Sequence, residues 1–146
     1  MSGTHRLILV ADSDLKLLKR VSGLARSEGY DVILSALGKD VIPLALAHHP
    51  ELIVLDVEFP DADGRDLLQA IKKDARISSI PVLMWSGRDY DSDRRIALEL
   101  GAADYVPKSD TLMLMPKIAR VLLHAKRESE LAPRSGPSPS LERGRP

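Results

Sequence analysis

The sequence predicts one α/β domain: a five-stranded parallel sheet with helices on both faces, built from five βα units. Three observations predict it. Short continuous apolar runs, Leu7-Ile8-Leu9-Val10-Ala11, Leu52-Ile53-Val54-Leu55 and Pro81-Val82-Leu83-Met84-Trp85, read as strands buried on both faces. Segments with apolar residues at helical spacing alternate with them. The strands end in residues with chemistry, namely Asp12, Asp56, Ser86 and Lys108. In a parallel sheet these ends share one edge, where open α/β sheets place their ligands.

The elements follow in order. After the first strand, Asp14 to Glu28 reads as a helix with Leu17, Leu18, Val21, Leu24 and Ala25 at helical spacing. Ser13 or Asp12 is its expected cap and Gly29 its stop. Asp31–Ser35 is the second strand. Lys39 to His48 is a shorter helix with Pro43 near its first turn, where proline is tolerated, and His48, His49 and Pro50 close it. The Asp56 strand is third, followed by a helix from Gly64 to Asp74 that Asp63 can cap. The Ser86 strand is fourth. Its helix starts at Asp89 or Asp91, runs to Leu100 and stops at Gly101. The fifth strand, Asp104-Tyr105-Val106-Pro107, ends at Lys108. Ser109, Asp110 or Thr111 then caps a last helix to about Arg127, with Pro116 close to its start.

Composition bounds the function. The chain has 146 residues, 44% hydrophobic and 29% charged, which suits a single core. Its formal net charge is +0, so bulk electrostatics favour no nucleic acid. It has no cysteine, which excludes disulfides, zinc–thiolate sites and a cysteine nucleophile. No apolar run approaches the ~20 residues of a membrane span, and the first residues lack the apolar core of a signal peptide. A cytoplasmic protein with no membrane insertion is expected. Residues 1–5 read as a flexible start and 6–127 as the domain. Residues 128–146, rich in Pro, Ser and Arg, read as a disordered tail.

Asp56 is the most informative residue. A carboxylate is too costly inside the sheet, where an unpaired charge must neutralise or find a cation. At the strand end it meets Asp12, Ser86 and Lys108, so two acids, a hydroxyl and an ammonium converge. Each has a plainer alternative. Asp56 can be a turn or cap aspartate, Lys108 a surface lysine, Ser86 a turn residue and Tyr105 simple packing. Trp85 reads as core. His5, His48, His49 and His124 have no metal-ligand spacing beyond the adjacent pair and read as solvent-facing.

The chain resembles the receiver domain of two-component response regulators, a CheY-like family with the flavodoxin-like doubly wound fold. The resemblance covers roughly residues 5 to 127. It rests on Ile8-Leu9-Val10-Ala11-Asp12, Leu55-Asp56 with Phe59-Pro60 and Asp63-Gly64, Pro81-Val82 through Ser86-Gly87, and Gly101-Ala102-Ala103-Asp104-Tyr105 with Lys108, in that order. It implies roles. Asp56 matches the phosphoryl-accepting aspartate. Asp12 matches one of an acidic pair that helps hold Mg2+, and the Glu58 backbone carbonyl matches the metal's peptide ligand. Lys108 matches the lysine that pairs with the acceptor carboxylate and then with the phosphoryl oxygens. Ser86 matches the hydroxyl that moves to bond the phosphoryl group, and Tyr105 the aromatic that changes rotamer with it. The implied partners are a sensor histidine kinase or phosphotransfer protein, and a downstream protein on the fourth helix, fifth strand and fifth helix. Ile96, Ala97, Leu98 and Leu100 make the fourth helix apolar around more than one face, which suggests a partner surface or a homodimer there.

Two departures and one further feature stand out. The second of the usual paired acids is Ser13 here, so the pocket lacks one charge and Mg2+ is expected to bind weakly. Glu58, or failing it Asp14, is the candidate replacement. Ser109 stands where a proline usually follows the lysine. A non-proline cis bond costs roughly 2.5–4 kcal/mol, so a trans or strained peptide and a modestly shifted Lys108 are expected. Arg88 is placed to pair with Glu58 across the pocket mouth.

Two functions follow. The first is a stand-alone receiver, not an enzyme, phosphorylated at Asp56 and signalling through Ser86 and Tyr105. The second is a pseudo-receiver that binds partners without phosphorylation, which Ser13 favours. A flavodoxin-type cofactor enzyme is disfavoured, because Asp12-Ser13-Asp14 would repel a phosphate.

Overall fold

The computed structural model describes residues 6–87 and 91–131. Five strands, β1 (Leu7–Ala11), β2 (Asp31–Ser35), β3 (Leu52–Asp56), β4 (Val82–Ser86) and β5 (Asp104–Pro107), form one parallel sheet. Its order is β2-β1-β3-β4-β5, the doubly wound arrangement expected. The chain moves outward from β1 to β2, then returns past β1 to β3. That reversal opens a crevice beyond the carboxyl ends of β1 and β3.

Five helices alternate with the strands: α1 (Leu15–Ser27), α2 (Val41–His48), α3 (Gly64–Lys73), α4 (Asp91–Glu99) and α5 (Leu114–Leu131). Successive strand residues face opposite sides. Ile8, Val10, Leu52, Val54, Leu83, Trp85 and Val106 pack with Leu18, Val21 and Ala25 of α1 and with Leu114, Ile118 and Leu122 of α5. Leu9, Ala11, Ile53, Leu55, Val82, Met84 and Tyr105 pack with α2, α3 and α4 through Val41, Ala45, Leu68, Ile71 and Ala97. Every residue of β3 and β4 is buried, which explains their unbroken apolar runs.

The boundaries correct several expectations. Asp14, not Ser13 or Asp12, caps α1: it is extended, and its Oδ1 accepts from the Lys16 and Leu17 backbone N–H groups at 3.0 and 3.2 Å. α2 begins at Val41 rather than Lys39, after a 3-10 turn over Gly38–Asp40, and Pro43 does lie in its first turn. α5 is not capped by Ser109, Asp110 or Thr111. Those residues lie in a 3-10 stretch, Lys108–Met113, whose break at Asp110 delays the helix to Leu114. Pro116 is therefore in the first turn of α5. The helix continues to Leu131, so residues 128–131, expected in the tail, are helical. The rest of that tail, residues 1–5, Arg88 and Asp89 lie outside the described residues.

Among the described residues no peptide bond is cis, so Lys108–Ser109 is trans. His48, His49 and His124 are exposed, as expected. Among the described residues no helix is long and apolar enough to cross a membrane.

Candidate functional site

The site is an acidic pocket at the sheet edge. Asp12 follows β1 directly and its N–H extends the ladder to the Ser35 carbonyl at 3.0 Å. Its side chain is fully buried. Oδ1 accepts the Asp14 N–H at 2.8 Å, which aims Oδ2 at Lys108 Nζ, 2.6 Å away. Asp56, the last residue of β3, is also buried, and its Oδ2 lies 3.1 Å from the same ammonium. One lysine thus bridges two carboxylates from neighbouring strands. The Asp56 side chain keeps 6% exposure and that of Lys108 21%, so the pocket is desolvated but open at its rim.

Burial pushes the Asp56 carboxyl above its ordinary range, and the Asp12 carboxylate pushes it further. Lys108 and the Glu58 backbone N–H oppose both effects without cancelling them. For Lys108, burial disfavours the charge, yet its hydrogen bond to Asp12 and its attraction to Asp56 outweigh burial and raise its pKa. The lysine therefore stays an ammonium between the two acids. The donors are all oxygens, the set a hard divalent cation takes. Asp12, Asp56 and the Glu58 carbonyl could hold such an ion, with waters at its other positions. Among the described residues no three acids or histidines form a ready cluster.

The other expected residues fall as follows. Ser86 ends β4 and is buried, one residue beyond Trp85, the register partner of Asp56. Tyr105 is buried and turned into the core with Met84, Ala97 and Ala102. Asp14 is at the edge of the site with one oxygen engaged as the α1 cap. The Glu58 side chain is exposed and lines a shallow hollow with Phe59, Asp63 and Arg65. On α4, Ile96 and Leu98 are exposed on either side of buried Ala97.

Four contributors were not read from the sequence. Gly64 packs against β3: its N–H bonds the Val57 carbonyl at 2.7 Å, and a Cβ there would overlap the Asp56 carbonyl oxygen. Asp61 accepts the N–H groups of Gly38 and Lys39 at 3.0 and 2.9 Å, tying the loop after β2 to the loop after β3. Thr111 Oγ1 donates to the Lys108 carbonyl at 3.0 Å. Asp104 joins α4 to α5 across β5, 3.2 Å from Arg94 Nη2 and 2.9 Å from Lys117 Nζ. Only Asp63-Gly64 carried a signal, as a turn dipeptide ahead of a helix. Asp61 and Asp104 depend on contacts between separate segments, and Thr111 on a local turn that its residue type alone does not announce.

Residues 8–119 match the response regulator receiver domain, and the chain belongs to that family. It is similar to two proteins named "Probable transcriptional regulator ycf27". The one from Cyanophora paradoxa is 34% identical over 108 residues, 74% of this chain and 44% of that protein. The one from Porphyridium aerugineum is 36% identical over 101 residues, 69% and 41% of the two chains. This chain thus spans less than half the length of these relatives. Among solved structures it resembles the receiver domain of the Francisella response regulator 1452, with 28% identity and a TM-score of 0.72 over 84% of this chain and 98% of that one. A CheY-like receiver domain protein from Methanospirillum hungatei JF-1 shares the fold, with 24% identity and a TM-score of 0.78 over 86% and 99%. Receiver domains are signalling modules.

Proposed function

We propose that this chain is a phosphorylation-controlled receiver in which Asp56 accepts a phosphoryl group from a phosphohistidine on a sensor kinase or phosphotransfer protein. The observation that carries the reading is the Lys108 ammonium held between Asp12 and Asp56. An Asp56 oxygen attacks phosphorus as the P–N bond breaks. The imidazole leaves with the electron pair and takes up a proton, and an acyl phosphate forms on Asp56. Lys108 neutralises charge spreading over the equatorial oxygens. Asp12, Asp56 and the Glu58 carbonyl would hold Mg2+, which would supply further positive charge to the pocket. With Asp14 engaged as a helix cap, Glu58 is the better replacement for the acid missing at Ser13.

The new phosphoryl group draws the Ser86 hydroxyl toward it, through a charge-assisted hydrogen bond of about 1.5–3 kcal/mol. Such a bond can bias a two-state loop whose gap is a few kcal/mol. Tyr105 then exchanges rotamer, and α4, β5 and α5 present the change to a partner. Arg94 Nη1, 3.4 Å from the Tyr105 carbonyl, ties that residue to the α4 side of this face. The names of the relatives concern transcription, so the downstream partner we favour is a component of transcriptional control. The expectation of no nucleic acid is narrowed accordingly: nucleic acid enters through that partner, not through direct contact by this neutral domain.

Acetyl phosphate with millimolar Mg2+, followed by intact mass, tests the reading. One added phosphoryl group is expected in the wild type, none in Asp56→Asn, and a rate reduced roughly tenfold without Mg2+. A wild type left unmodified by both acetyl phosphate and a phosphohistidine donor supports the second reading, a pseudo-receiver that binds partners without phosphorylation. Ser13 favours that reading, because it removes a charged metal ligand from the pocket.

A further inference from the structure

Trp85 is fully buried on β4, and its register partner on β3 is Asp56, so the indole lies on the Asp56 side of the sheet. Lys108 Nζ sits over its ring, 5.4 Å from the centroid, within the range at which an aromatic face attracts a cation. The ring is fixed by the core it shares with Leu114 and Ile118 of α5. Among the described residues its Nε1 is buried without a hydrogen-bond partner. A buried indole N–H left unpaired is destabilising, and a leucine would fill apolar space without that penalty. What the indole adds is the face it presents to the ammonium. Apart from the Asp12 and Asp56 carboxylates, Lys108 has few constraints. Ser109 follows it, with free φ, and among the described residues the Thr111 hydroxyl is the side chain that holds its carbonyl.

We propose that Trp85 is a positioning residue for Lys108, its indole face holding the ammonium over the Asp12–Asp56 pair before a phosphoryl group arrives. The consequence for rate rests on Asp56 phosphorylation as proposed above, but the contact itself does not. Trp85 is the chain's one tryptophan, so biosynthetic fluorotryptophans alter this ring alone. Successive fluorination drains the ring's negative face with little change in shape.

The experiment follows the side-chain order of Lys108 by NMR relaxation at Nζ in unphosphorylated protein at one fixed pH, and the acetyl phosphate reaction separately. Across mono-, di- and trifluorotryptophan the order at Lys108 Nζ should fall stepwise, because the ring face holds the ammonium less firmly. Trp85→Leu should lower it as well and slow phosphorylation about fivefold, while Trp85→Phe, which keeps an aromatic face, should stay within about twofold of wild type. Lys108 order unmoved by fluorination overturns the proposal, as does a leucine variant that matches the phenylalanine variant in both readouts. Should the wild type take up no phosphoryl group, the phosphorylation reading fails, while the relaxation measurement still decides the role of Trp85. The fluorinated proteins keep the test open if either substitution fails to fold.

Discussion

Gly64→Ala is expected to destabilise the domain by about 3 kcal/mol, lowering Tm by about 10 °C, and to slow phosphoryl uptake at Asp56 by roughly tenfold or more. The added methyl would overlap the Asp56 carbonyl oxygen and lie 2.8 and 2.9 Å from Val57 Cα and Asp56 C. All three atoms are backbone, so no rotamer change relieves the clash. Either α3 moves off the sheet or the end of β3 bends away. The first course loses packing of Leu68 and Ile71, and the second displaces the acceptor carboxylate from Lys108. Thermal melting and the acetyl phosphate rate check the two effects. A variant as stable and as reactive as wild type would show that the approach of α3 to β3 is looser than described.

The second large effect is that of Lys108→Met. It leaves Asp12 and Asp56 buried together with no cation between them. Breaking such a group typically costs 3–5 kcal/mol; with Lys108 partly exposed, a loss of about 2–3 kcal/mol at neutral pH is expected. The sign of its pH dependence follows from Asp56. Burial first, and Asp12 next, already hold that carboxyl above its ordinary range, and loss of the ammonium raises it further. A carboxyl whose folded pKa lies above its unfolded value binds its proton more tightly in the native state. Its ionisation therefore opposes folding at neutral pH, and that opposition fades as pH falls through the raised pKa. The deficit of Lys108→Met should thus shrink on acidification, as urea unfolding at several pH values would reveal. Phosphoryl uptake should also fall at least roughly tenfold, since the equatorial oxygens lose a fixed positive charge.

Much of the fold was legible because burial on both faces writes itself plainly into a parallel strand. β3 and β4 are apolar throughout since neither face meets water, and their polar ends mark where the sheet stops. The convergence of Asp12, Asp56 and Lys108 follows from topology alone, because parallel strands share an edge. Helix starts were less legible. Asp12, Ser13 and Asp14 are all competent caps, and what selects Asp14 is that Asp12 is drawn into the pocket by Lys108. The start of α5 was misplaced because Ser109, Asp110 and Thr111 each look like a cap, whereas the chain first makes a 3-10 stretch, Lys108–Met113, that breaks at Asp110 before the helix begins. Trp85 read as core, and it is core. Its second contact, with a lysine at the end of the neighbouring strand β5, has no local signature. The tie from Asp61 to Gly38 and Lys39 is hidden for the same reason, since it joins residues more than twenty positions apart.

The central claim is that the Asp56 carboxyl itself becomes the acyl phosphate. Borohydride reduces an acyl phosphate to an alcohol, so an aspartyl phosphate becomes homoserine at the modified position. Wild-type protein treated with acetyl phosphate and Mg2+, reduced and then mapped by peptide mass spectrometry should carry homoserine at position 56 and nowhere else. Homoserine at position 12, or a phosphorylated protein with no homoserine at either position, would contradict it.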